Sequence, residues 1–124
     1  MSGLRQPGGH REVVALTAST TLTNHDMGKV FTNRGAAGSV TITLPAPGGD
    51  NKGGCIDVHV VTDQTVIVTT TDKLVIFNDA AADSVAVQTS GEKIGGSFQF
   101  ISDGTSWLAR AMGVGGTFTI TTAT

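Results

Sequence analysis

Apolar and polar side chains alternate along most of this chain with a period of two. The cleanest run is Ser39–Leu44, where Val40, Ile42 and Leu44 point one way and Ser39, Thr41 and Thr43 the other. Such alternation predicts a half-buried β-strand. Cys55–Val61 repeats it with Ile56, Val58 and Val60 inward, and Ser84–Gln88 does so with Val85 and Val87. Gln64–Thr71 is β-branched almost throughout, which disfavours helix and suits a pleated surface. Val13–Ala18, Thr20–Thr23, Lys29–Asn33, Lys73–Phe77, Ser97–Ile101, Ser106–Arg110 and Thr117–Thr121 complete the predicted strands.

Turn signals separate these runs. Asn24–Gly28 ends in a residue that adopts positive φ freely, so Asp26 and Gly28 are assigned as turn-formers. Arg34–Gly38 is a second turn. Pro45 stops the strand before it because it cannot donate to a ladder, and Ala46–Gly54 is a Gly-rich loop. Asp103-Gly104 between alternating runs predicts a hairpin. Gly91–Gly96 is a turn region, and Gly113–Gly116 precedes the last strand. Ala80-Ala81-Ala82 lies between two Asp residues, too short for a stable helix, and is expected to be a loop or single turn. The result is roughly nine to eleven short strands with no long helix, an all-β chain built as an antiparallel β-sandwich or small, jelly-roll-like β-barrel. No fixed-period repeat is visible.

Residues 1–12, MSGLRQPGGHRE, have no period and contain Pro-Gly-Gly. They are expected to form a flexible arm outside a single domain spanning 13–124. The arm is either simply disordered or orders against a partner, in which case Leu4, Arg5 and Arg11 are its contact residues.

Composition narrows the class. With 124 residues and 5% aromatics, the core must come mainly from Val, Ile, Leu and Ala. Charged residues make up 15% and the formal charge is −2, which argues against nucleic acid or an anionic membrane as partner. One cysteine, Cys55, excludes an internal disulfide and a Cys-cluster zinc site. No apolar run approaches the ~18 residues of a membrane span, and the N-terminus lacks a signal-peptide apolar region.

Catalytic motifs are absent: there is no G-x-S-x-G, P-loop or H-E-x-x-H, so no enzyme activity and no cofactor are expected. His10, His25 and His59 are scattered at no metal-ligand spacing. Asn24 and Asp26 offer oxygens to a hard cation, but such ions want about six or more, and Asp26 is better assigned to capping its own turn. Lys29 is placed to pair with a nearby carboxylate. Trp107 is assigned as a core or subunit-interface anchor, with sugar stacking as the alternative; Phe98 and Phe100 share a face and are assigned to the same core. Cys55 is a small buried hydrophobe. The strand over 117–124 pairs either within its own sheet or with a neighbouring subunit.

The segment Thr21-Leu22-Thr23, Asp26, Gly28-Lys29, Phe31-Thr32-Asn33, Gly35, Gly38 and Val40–Pro45, with Asp103-Gly104-Thr105-Ser106-Trp107 further on, resembles modules in virion proteins of tailed bacteriophages. Similar modules occur in head decoration (cement) proteins and in tail fibres or spikes. The resemblance implies a β-rich module, assembled as a homotrimer, that binds other virion components or a host surface. A chain starting at Met and holding one module without a fibrous shaft is expected to be the decoration type. Its partners are then the major capsid protein and its own copies, and its place is the outer capsid surface after synthesis in the host cytoplasm. The alternative is a receptor- or glycan-binding module of a tail fibre.

Overall fold

Three successive passes of the chain stack in parallel and set the framework of the fold. The computed structural model describes residues 10–87, 94–112 and 120–123. The first pass carries β1 (Val13–Ala15) and β2 (Thr20–Thr21), and the second β3 (Val30–Thr32) and β4 (Val40–Thr43). The third carries β5 (Cys55–His59) and β6 (Val66–Ile76). β1, β3 and β5 pair in parallel through Val14, Phe31 and Val58. β2, β4 and β6 do the same through Thr20, Ile42 and Val68.

The later strands close this framework with antiparallel pairs. β7 (Asp79–Val87) folds back on β6, and β10 (Ile120–Ala123) adds outside β7. β8 (Ser97–Ser102) pairs with β5 across the registers Ile56–Phe100 and Val58–Phe98. β9 (Trp107–Met112) then pairs antiparallel with β8 on one side and parallel with β6 on the other, where Trp107 sits opposite Leu74. β9 therefore ties the two stacks into one curled, mixed sheet, a half-barrel.

Alternation decides what this curl encloses. Phe31, Ile56, Val58, Phe98 and Phe100 from one stack join Val40, Ile42, Val66, Val68, Val85 and Val87 from the other in a single buried cluster with Trp107. Each large side chain buried there contributes about 1.5–3 kcal/mol. Trp107 is fully buried and its Nε1 donates to the Pro45 carbonyl at 2.9 Å, so its polar tip is satisfied inside the core. The Phe98 and Phe100 rings lie 6.0 Å apart with their planes tilted by 33°.

The all-β sandwich or small barrel predicted from alternation is the observed class. Its pairing is not antiparallel throughout, because alternation fixes which face a residue occupies and says nothing about neighbouring-strand direction. A second difference is Ala80-Ala81-Ala82, expected as a loop and observed within β7. Ladder bonds to β6 and burial of Ala82 under the sheet override the weak strand preference of alanine. Of the predicted final strand, 120–123 pairs with Ser84–Val87 of its own chain, while 117–119 lies outside the described residues.

Candidate functional site

The inward residues of β5, β8 and β9 build the core, so the residues between them form an outer face ordered in three rows. Cys55, Ile101, Leu108 and Val75 stand opposite one another across β5, β8, β9 and β6. The next row is Asp57, Gln99 and Arg110, and the third is His59, Ser97 and Met112. Leu108 is 43% exposed and Met112 65% exposed, so two large apolar side chains flank Arg110 on one strand. A shallow depression of about 180 Å³ lies over this surface, bordered by Asp57, His59, Ser97, Gln99, Arg110 and Met112.

The middle row holds two polar pairs side by side, Arg11 with Asp57 and Arg110 with Gln99. Arg11 donates from Nη1 to Asp57 Oδ2 at 2.8 Å, from Nε to the Gly28 carbonyl at 2.6 Å and from Nη2 to the Lys29 carbonyl at 3.2 Å. The Gln99 side-chain oxygen accepts from Arg110 Nη2. Burial pushes the Asp57 carboxyl up, but hydrogen bonds and charge from Arg11, with further bonds from Cys55 and Gln99, outweigh it and hold Asp57 below the usual carboxylate range. Burial and the neighbouring Asp57 charge push the Cys55 thiol up.

Arg11, expected in a partner-binding arm, is placed against the domain itself, where three of its donors are used. Glu12 is also docked, its carbonyl accepting from Val30 N at 2.9 Å. Leu4 and Arg5 lie outside the described residues.

The turn residues have local roles. Asn24–Asp26 forms a short 3₁₀ helix in which Thr23 and Asp26 make a reciprocal capping box. Asp26 accepts from Thr23 N at 2.8 Å and from Lys29 Nζ at 2.9 Å, so both of its oxygens take part in holding the turn. Gly28 holds φ +87° and Gly104 φ +91°, the left-handed conformations that favour glycine. Asp103 Oδ1 accepts from Thr105 N and Ser106 N, closing the loop between β8 and β9.

His10 and His25 border one shallow groove, whereas His59 lies on the outer sheet face. Among the described residues no three metal-ligating side chains come together. Trp107 and Phe98 and Phe100 are in the core; the Trp107 indole is closed to a sugar, and stacking there is ruled out by its burial.

Two features escape sequence reasoning. The row Asp57–Gln99–Arg110 is assembled by register between distant strands. Buried Asn51 is the other, concealed in a loop that reads as Gly-rich spacer. Its amide donates to Asn24 Oδ1 and the Ala46 carbonyl, and its Oδ1 accepts from Gly48 N and Ser102 Oγ. A comparison with protein-family models and with curated proteins found no match to this chain.

Proposed function

We propose that this protein is a head decoration protein of a tailed bacteriophage, which attaches as a homotrimer to the outer capsid and bridges neighbouring capsomers. The reading draws its phage assignment from the motif between Thr21 and Trp107. The observation that carries an attachment role is the outer face of β9, where Leu108 and Met112 stand exposed beside an oriented Arg110. Single exposed apolar residues are ordinary, and what favours attachment here is that two of them flank a charge on one strand. The tail-fibre alternative loses its sugar platform with Trp107 in the core.

Purified protein added to decoration-free expanded capsids of its own phage is expected to bind saturably and to raise their resistance to heat and chelator. Absence of binding overturns this reading.

A further inference from the structure

We infer that the outer face of β9 recognises a carboxylate flanked by apolar side chains on the partner protein, with Arg110 as the residue that pairs with it. The inference rests on the attachment reading above and specifies its chemistry.

Three observations point to this partner. First, Arg110 is the central charge of the face, and among the described residues no carboxylate makes an ion pair with it. The nearest acid in its row, Asp57, is already engaged by Arg11 at 2.8 Å. Second, Arg110 is oriented in advance. Its Nη2 donates to the Gln99 side-chain oxygen, and Gln99 is held in register between Arg110 on β9 and Asp57 on β5. A guanidinium has five N–H donors in a planar fork, and among the described residues Arg110 uses one of them, which leaves a pair for a two-oxygen acceptor. Pre-orientation removes part of the ordering entropy that a mobile surface arginine loses on binding. Third, Leu108 and Met112 stand two positions to either side on the same strand, with Ile101 on the adjacent one. A partner that covers them also excludes water from the ion pair and strengthens it. Arginine within an apolar frame is a common hot-spot arrangement at protein interfaces. The formal charge of −2 works against a phosphate-bearing polymer as the source of the anion.

The test is co-sedimentation of the full chain with decoration-free expanded capsids, comparing Arg110→Glu, Arg110→Lys, Leu108→Ser and Lys52→Glu. Lys52→Glu makes the same charge change on the exposed loop beside Gly104 and serves as control. Arg110→Glu is expected to weaken binding about tenfold or more, Arg110→Lys and Leu108→Ser less, and Lys52→Glu hardly at all, with thermal midpoints matching the wild type. Wild-type affinity in Arg110→Glu overturns the inference and leaves the attachment reading standing. Equal losses in Arg110→Glu and Lys52→Glu overturn it in favour of unspecific charge. An oligomer that Arg110→Glu dissociates assigns the face to a second copy and overturns it as well. Failure of the wild type to bind overturns both readings.

Discussion

Ser102 Oγ donates a 2.8 Å hydrogen bond to Asn51 Oδ1, joining buried residues 51 positions apart in the chain. Ser102 Oγ in turn accepts from Gly104 N at 3.1 Å. The loop after β4, the 3₁₀ helix and the loop between β8 and β9 therefore meet at one amide. Asn51→Ala strands the Ser102 hydroxyl, Gly48 N and the Ala46 carbonyl away from their partner. A loss of about 2–4 kcal/mol is expected from unsatisfied buried groups. Urea denaturation followed by tryptophan fluorescence checks it, and a midpoint equal to wild type would show that water replaces the amide without cost.

The turn between β6 and β7 works against its own sequence. Phe77 and Asn78 have φ of +50° and +68°, the signs required by a type I′ hairpin, and Phe77 is 60% exposed. Asn-Gly is the favoured pair in that turn, whereas a bulky residue at positive φ is strained by roughly 1 kcal/mol. The double substitution Phe77→Asn, Asn78→Gly is expected to stabilise the fold by about 0.5–1 kcal/mol. A lowered thermal midpoint would show that the Phe77 ring contributes packing that outweighs its backbone strain.

Acid should destabilise the protein through two carboxylates in particular. Burial raises the Asp26 pKa, but bonds from Thr23 and the charge and bond from Lys29 outweigh it, so Asp26, like Asp57, titrates below its ordinary value of 3.8. A carboxyl with a depressed folded-state pKa binds fewer protons when folded. Its contribution is present above the unfolded pKa and is lost as pH falls through the folded one. Urea midpoints are expected to stay level from neutrality to about pH 5 and fall below about pH 4. Asp57→Asn should flatten part of that fall. An identical acid profile in this variant would remove Asp57 from the account.

Cys55 should react slowly with alkylating reagents at mildly alkaline pH, because burial and Asp57 disfavour its thiolate. Its Sγ also lies 3.5 Å from Asp57 Oδ1. Asp57→Asn removes the repelling charge and leaves Arg11 nearby, so iodoacetamide labelling should accelerate several-fold. Unchanged labelling rates would show that access alone limits the thiol.

Faces were legible in the sequence, and neighbours were not. The alternation in Ser39–Leu44 and Cys55–Val61 assigned Val40, Ile42, Ile56 and Val58 to the core, where they lie. The common row of Asp57, Gln99 and Arg110 depends on the pairing of β5 with β8 and of β8 with β9. No local signal encodes that register. The parallel stacking of β1, β3 and β5 was hidden for the same reason. Arg11 was assigned to the arm because Pro-Gly-Gly precedes it, and its three bonds depend on carbonyls at Gly28 and Lys29 that only the fold brings near. Asn51 was lost among glycines because its partners lie far along the chain.

The double pairing of β9 has a consequence for synthesis. β5 and β6 leave the ribosome with ladder edges that β8 and β9 must later occupy, and Trp107 arrives only after both β5 and β6. Until then the parallel passes hold unpaired edges, the feature that slows folding and invites association between nascent chains. A chain stopped before β8 should therefore fail to form a stable module, and the native pairing becomes available only once β8 and β9 have both been made.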